Sequence, residues 1–241
     1  MLEAAWWGFV GGAALLVGAV VGIFVTVRGR VIGLVMAFGS GVLISALSFE
    51  LVEEAYAESG GLAVVLGLLS GSLAFFVGDW FIDRRGGHRR KSPTGRQAGA
   101  GGMALVLGAL LDGIPESAAI GVTLVEGGGV GVAVVAAVFL SNVPEALSAS
   151  AGMKKAGRST GFILGLWAAV TAASAVAAAA GFVFLAGAPV LAVAVVLAFA
   201  AGAILTMLAD TMLPEAVDHA GPLVGVVAAL GFTVAFLVSA A

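Results

Sequence analysis

The chain has 241 residues, of which 61% are hydrophobic and 10% charged, and its mean hydropathy is +1.16. So few charged side chains cannot solvate the surface of a globular domain of this length, which excludes a soluble protein. Because Cys is absent, a disulfide framework, a thiolate metal site and a cysteine nucleophile are excluded as well. The net charge of -3 decides little, since the position of each charge relative to a bilayer is what matters.

Apolar stretches of roughly 20 residues, each long enough to cross about 30 Å of hydrocarbon as a helix, recur along the whole chain. They are apolar all round and rich in Gly, Ala and Leu, unlike the alternating strands of a membrane barrel. We therefore predict an all-α polytopic membrane protein with a single transmembrane domain, 1–241. Charges, Pro and Gly clusters divide it into eight transmembrane helices at 5–27, 31–52, 61–82, 99–124, 129–151, 160–183, 188–212 and 221–240.

The basic residues predict the orientation of these helices. All eleven Lys and Arg residues fall in three connections that an eight-helix order places on one side, which the positive-inside rule makes cytoplasmic. Both termini and the acidic turns (Glu53, Glu54, Glu58 and Glu126) then face outward. The basic, Gly-rich segment 84–98 predicts a solvated cytoplasmic loop. No basic residue precedes the first helix, which is therefore not expected to be a cleaved signal, and a prokaryotic inner (plasma) membrane is the expected location.

Two internal matches predict a symmetric bundle. Segment 37–62 matches 198–223 without a gap, and the two segments would cross the membrane in opposite directions. The shorter segments 111–116 and 140–145, each with Pro-Glu at its end, match in the same inverted way. Transporters often carry such inverted repeats around a binding site. We therefore predict a 3+2+3 inverted-repeat bundle, with helices 1–3 at 5–82, helices 4–5 at 99–151 and helices 6–8 at 160–240.

Polar side chains on predicted helices four and five mark a candidate site. Asp112 and Glu116 are four residues apart and share a helix face, as do Ser141 and Glu145, with Asn142 nearby. An ionisable group at membrane depth is costly, so it is a functional-site hypothesis by default. These side chains offer carboxylate, amide and hydroxyl oxygens on neighbouring helices.

Proline strengthens that hypothesis. Pro115 and Pro144 lack the N–H groups that would bond the carbonyls of Leu111 and Leu140, so those carbonyls are free to face a cavity. Carboxylate, amide, hydroxyl and carbonyl oxygens together suit a divalent cation that exchanges its hydration shell for protein ligands. The alternative is a purely structural pair of Pro kinks, with a protonated Glu holding the bundle together.

With these motifs, the whole chain resembles the ZIP family of divalent-metal transporters. That family has eight helices in a 3+2+3 arrangement, with helix four reading H-N-x-P-E-G and helix five ending in x-P-E-G; the present forms are D-G-I-P-E-S and S-N-V-P-E-A. The resemblance implies a metal site whose central glutamates are Glu116 and Glu145. It also implies that Asp112 replaces the helix-four His, and that Ser141 and Asn142 occupy the two helix-five ligand positions.

The departures from the family pattern bear on the metal. Gly113 stands where the family has an Asn ligand, and helix six lacks an acidic residue, so a second bound metal is not expected. A site without imidazole offers only oxygen donors, which suit Mn²⁺, Mg²⁺ or Ca²⁺ better than Zn²⁺. We therefore hypothesise a selectivity shifted toward Mn²⁺, with Zn²⁺ still able to bind carboxylates.

The resulting functional expectation is a secondary transporter, not an enzyme, that moves divalent metal (the Mn, Zn, Fe, Cd class) toward the cytoplasm by alternating access. Metal is its substrate, no further cofactor is expected, and its partners are the metal ions and the lipid bilayer. No nucleic acid is expected, and a homodimer is allowed. Two alternatives stay open: a transport-dead metal sensor or membrane scaffold, and an intramembrane hydrolase using the same carboxylates as acid and base.

Overall fold

A computed structural model describes residues 1–87, 90–95, 102–125 and 130–239. Within these ranges no β-strand occurs, and the regular elements are helical. Predictions about Glu126, Arg89 and Arg96 lie outside the described residues. The described α-helices are α1 Leu2–Phe24, α2 Gly29–Ala46, α3 Glu53–Ser59, α4 Gly61–Ile82, α5 Gly102–Thr123, α6 Val132–Lys155, α7 Thr160–Leu185, α8 Val190–Met207, α9 Leu213–Ala220 and α10 Val224–Ser239.

Length and composition make this an integral membrane protein. Within the described residues, seven helical segments are long and apolar enough to cross a bilayer, with mean hydropathies from 1.5 to 2.6. The last of them, Val190–Ser239, has 50 residues. As one straight helix it would be about 75 Å long, far more than the roughly 30 Å that one crossing needs. It is interrupted at Gly221, whose φ of 67° ends α9 before α10 begins.

In two of the long segments a π-helical stretch joins two α-helices. Leu47–Val52 joins α2 to α3, and Leu208–Met212 joins α8 to α9. A π-helical turn accommodates an extra residue within a helix and often lies at a functional site. Because the helix continues through Leu47–Val52 to Ser59, the acidic residues Glu53, Glu54 and Glu58 lie on α3. The prediction that they form a turn was therefore wrong.

Close helix contacts build the bundle. Helix α1 packs along α6 and α7, α2 along α10 and α6, α4 along α8, and α5 along α7. Glycine allows several of these approaches, because an added Cβ would strike the backbone of the facing helix. The hydrophobic effect does not drive helices together within lipid, so small residues stabilise the bundle by increasing the contact area between helices. Each of four glycines faces the backbone of a residue on another helix: Gly41 faces Ala228, Gly231 faces Phe38, Gly202 faces Leu68 and Gly71 faces Phe199.

Candidate metal site

The predicted ligands lie on α5 and α6, inside the bundle. Each helix continues through its proline, Pro115 or Pro144. An ideal Cβ on Gly39 of α2 would lie 3.4 Å from the Leu140 carbonyl oxygen, so that carbonyl faces α2. The five predicted ligands are all buried, with exposed fractions of 0 to 3%: Asp112, Glu116, Ser141, Asn142 and Glu145. Burial of three carboxyl groups in an apolar bundle requires compensating charge.

Arg90 supplies part of that charge to Asp112. Its Nη2 lies 2.9 Å from Asp112 Oδ1 and its Nε lies 3.2 Å from Oδ2, a bidentate guanidinium–carboxylate pair. The same guanidinium pairs with Asp79 of α4, with 2.6 Å between Nη1 and Oδ1. Burial alone would lower the pKa of Arg90, but the two carboxylates outweigh it and raise that pKa, so Arg90 stays charged. Arg90 therefore links α4 to α5.

Lys91 joins the two helices that carry the predicted ligands. Its Nζ lies 3.4 Å from Asp112 Oδ2 on α5 and 3.2 Å from Glu145 Oε2 on α6. The Lys91 side chain is only 2% exposed. One buried ammonium thus contacts both carboxylates. This is the position that a cation shared by α5 and α6 would take.

The backbone segment that carries Arg90 and Lys91 lies against α6 inside the bundle. The Ser148 hydroxyl donates to the Lys91 carbonyl, and the Lys155 ammonium donates to the Pro93 carbonyl at 2.8 Å. Ser148 and Lys155 are seven residues apart on α6, so the segment follows α6 for about 10 Å from its end. Non-helical backbone at such depth is tolerated where protein buries it. The prediction that this part of 84–98 is solvated was therefore wrong for residues 90–92, which are buried.

Glu116 is placed differently from the other two carboxylates. It is 1% exposed, and its Oε1 has no hydrogen-bond partner among the described residues. Its surroundings on α2, α6 and α8 are apolar, including Leu47 at the start of the π-helical stretch. It lies within electrostatic range of Glu145, Asp112 and Lys91. An orphaned carboxylate oxygen in apolar surroundings fits a group that awaits a cationic ligand.

Ser141 and Asn142 make other contacts in this structure. The Ser141 hydroxyl donates to the Val138 carbonyl of its own helix at 3.0 Å. The Asn142 amide donates to the Gly11 carbonyl of α1 at 3.1 Å. Both side chains are buried. Ser141 bonds within α6, whereas Asn142 joins α6 to α1.

The carboxylates do not form a metal cage here. Within the part of the chain that the structure describes, no three His, Asp or Glu side chains lie close enough to hold one ion. A divalent ion binds carboxylate oxygens at about 2.0 to 2.6 Å, whereas the ammonium nitrogen lies 3.2 and 3.4 Å from them. Binding of metal by Asp112 and Glu145 would therefore require Lys91 to leave and the two helices to adjust.

Sequence reasoning missed Arg90, Lys91 and Asp79 as members of this site. The signal that could have found them is charge balance: Asp112 and Glu145 are buried acids, and their helices α5 and α6 carry basic residues only at the end of α6, Lys154 and Lys155. The compensating cations had to come from a connection. The basic segment beside α5 is the nearest one along the chain.

A cavity of about 660 Å³ reaches the two cations from one side. It lies between the end of α4 and the region joining α8 to α9. Acidic side chains from both regions line it, so it is a polar approach to the Arg90–Lys91 pair. The charged residues lining it are Asp79, Asp83, Arg84, Arg90, Lys91, Asp210 and Glu215.

Comparisons with known proteins give a distant relative. No family model matches the sequence. The chain is 29% identical over 213 residues to an Arabidopsis thaliana protein named "Putative zinc transporter". The match covers 87% of this chain and 34% of that protein, so the chain spans about a third of its relative's length. The similarity thus extends over both candidate-site helices and most of the bundle described above.

Proposed function

We propose that the chain is a secondary transporter that moves divalent metal cations toward the cytoplasm by alternating access. The observation that carries this proposal is the meeting of Asp112 and Glu145, from two different membrane helices, around a single positive charge. The name of the Arabidopsis relative is that of a metal transporter and not of an enzyme, which supports the same class of function.

The inverted repeat belongs to this proposal. The π-helical stretches begin at Leu47 and Leu208, which are equivalent positions in the two matched segments. The helices after them, α3 and α9, are each followed by a glycine of positive φ, Gly60 and Gly221. The close contact of Gly41 with α10 corresponds to that of Gly202 with α4. Such matched features support a 3+2+3 bundle of eight crossings, in which α8 and α9 together form one crossing and α10 forms another. Two similar halves can then rock about a central site.

The ligands of the transported ion are proposed to be Glu116, Glu145 and Asp112, with Ser141 and Asn142 completing its shell. The buried, unpartnered Oε1 of Glu116 supports its inclusion. For Ser141 and Asn142, inclusion requires that they exchange their present hydrogen bonds for the ion. An oxygen-only set favours Mn²⁺ over Zn²⁺ relative to a site with imidazole. Zn²⁺, Fe²⁺ and Cd²⁺ complete the proposed substrate class.

Orientation is proposed from the positive-inside rule, with the basic connections cytoplasmic and both termini outside. The 660 Å³ cavity at the end of α4 then faces the cytoplasmic half, where a released ion would leave. A prokaryotic membrane and a homodimer remain expectations from the sequence.

A metal sensor or membrane scaffold without transport is the second candidate. The observation that favours it is the pairing of Asp112 and Glu145 with Arg90 and Lys91, because ion pairs inside a bundle can be purely structural. A sensor would bind metal at the same carboxylates without flux, and a scaffold would bind none.

Uptake into proteoliposomes separates these functions. Flux of Mn²⁺, Zn²⁺, Cd²⁺ and Fe²⁺ is measured for the wild type and for a Glu116→Ala, Glu145→Ala double variant, with insertion checked for both. We expect saturable flux that the double variant abolishes. A wild type that binds metal without flux would indicate the sensor, and one that neither binds nor transports would indicate the scaffold.

A further inference from the structure

Lys91 has no role in the transport proposal, yet its ammonium occupies the centre of the site. We propose that Lys91 is a tethered competitor of the transported ion, which sets how strongly the site binds divalent cations and keeps weakly bound ions such as Mg²⁺ out. This inference rests on the proposed function, because it assumes that the ion binds Asp112 and Glu145.

The contacts place the competition at particular atoms. Lys91 Nζ contacts Asp112 Oδ2 and Glu145 Oε2 at 3.4 and 3.2 Å, and among the described residues no other carboxylate forms an ion pair with it. With 2% of its side chain exposed, the ammonium has exchanged water for these two carboxylates. A divalent ion bound to the same oxygens and the ammonium repel each other at close range in a medium of low dielectric. Their binding is therefore mutually exclusive.

The competitor is held in place by its neighbours. Arg90 is fixed by Asp79 and Asp112, and the Ser148 hydroxyl holds the carbonyl of Lys91 itself. A tethered group acts at a high effective concentration, so it competes far better than a free amine would. It can also return to the carboxylates as an ion departs, which would speed release.

A fixed displacement cost acts equally on every divalent ion. It raises all dissociation constants by the same factor, so the ratio between ions is unchanged while the absolute affinity falls. Ions high in the affinity order for nitrogen and oxygen ligands still bind at low concentration. Mg²⁺ gives up its waters reluctantly, so its dissociation constant rises above the concentration at which the protein meets the ion. A common loss of affinity thus excludes weakly bound ions without any ligand that is specific for one metal.

Lys91→Gln tests the inference, with Lys91→Arg retaining the charge and Lys154→Gln as the matched control. Lys154 is exposed at the end of α6 and bonds Thr160. Titration calorimetry with Mn²⁺, Zn²⁺ and Mg²⁺ should give dissociation constants at least about tenfold lower for Lys91→Gln, by a similar factor for each ion. Uptake should show a lower KM, a lower maximal rate, and inhibition by Mg²⁺ that the wild type lacks. Lys91→Arg keeps the positive charge, so its dissociation constants should stay closer to those of the wild type than those of Lys91→Gln do. Lys154→Gln should resemble the wild type.

A charge-neutral variant covers the case in which Lys91→Gln fails to fold. Ser148→Ala removes the hydrogen bond to the Lys91 carbonyl and leaves every charged group in place. It should tighten Mn²⁺ binding in the same direction as Lys91→Gln. Ser40→Ala is its control, because the buried Ser40 hydroxyl donates to the Met36 carbonyl of its own helix. Equal affinities for Ser148→Ala and Ser40→Ala would overturn the inference.

The outcomes also separate this inference from the transport proposal. Metal binding by the wild type that Lys91→Gln leaves unchanged or weakens refutes the competitor and leaves transport standing. If neither the wild type nor Lys91→Gln binds any divalent ion, the proposed function itself fails. Binding that appears only in Lys91→Gln supports the competitor and points to a chain that transports poorly.

Discussion

Replacing Arg90 with Met should destabilise the folded protein more than any surface substitution of the same kind. The Arg90 side chain is 6% exposed, and it bonds Asp112 through two nitrogens and Asp79 through a third contact of 2.6 Å. Met fills a similar volume but leaves two buried carboxylates without their main counter-charge. Breaking a buried ion pair from one side costs about 3–5 kcal/mol, because the remaining charge stays desolvated.

The measurement is the unfolding of purified protein in mixed micelles, followed by tryptophan fluorescence, to which Trp167 beside Arg90 contributes with three other tryptophans. Arg30→Met is the control, since Arg30 is exposed at the start of α2. Its cost should stay within about 0.5 kcal/mol. Adding Asp79→Asn to Arg90→Met should recover part of the loss. Equal stabilities of Arg90→Met and Arg30→Met would refute the assignment of a compensating charge to Arg90.

Two glycines give further predictions. A Cβ on Gly108 would strike the Arg90 side chain, so Gly108→Ala should weaken the Arg90 pairs, lower stability by about 1–3 kcal/mol, and leave α5 otherwise intact. Gly202→Leu should separate α8 from the Leu68 carbonyl on α4 and strongly reduce the yield of folded, monodisperse protein in detergent. Gly225→Ala, at a position with open space around it, should leave that yield unchanged; equal yields for both variants would contradict the packing argument.

The parts of the fold that follow from local chemistry were predictable. A membrane helix must be apolar along its length, so hydropathy together with the breaks at charges and Gly clusters located α5 and α6. The i, i+4 spacing put Asp112 and Glu116 on one face. The internal match of 37–62 with 198–223 was visible in the sequence, and its equivalent positions Leu47 and Leu208 each begin a π-helical stretch. Their π-helical form was not predicted, because an extra residue in a helical turn leaves no periodic signal in the sequence.

The course of the basic segment was not predictable from composition. Arg and Lys in a Gly-rich connection are typical of solvated anchors, and local propensity contains nothing that would bury them. Arg90 and Lys91 are buried because three acids on other helices, Asp79, Asp112 and Glu145, require cations. That requirement is a tertiary one. It becomes visible only when the charge of the whole bundle is balanced.

Charge balance also distinguishes a transport site from a structural core. Asp79, Asp112, Glu116 and Glu145 are four buried carboxyl groups, and Arg90 and Lys91 are the buried cations beside them in the described part of the chain. If all are ionised, the cluster has two negative charges in excess. Two protons would cancel them with Lys91 in place, whereas a divalent ion that displaces Lys91 would leave one negative charge. A purely structural network would need neither if its charges matched.

This excess predicts stabilisation by metal, which is the remaining test of the site. Mn²⁺ at 100 times its dissociation constant should stabilise the wild type by about 2.7 kcal/mol, because it binds the folded state and not the unfolded one. The melting temperature in detergent should rise accordingly, and the Glu116→Ala, Glu145→Ala variant should show no rise. A variant that Mn²⁺ stabilises as much as the wild type would place the metal elsewhere. Stabilisation of the wild type alone would mean that the excess charge of this cluster is what the ion balances.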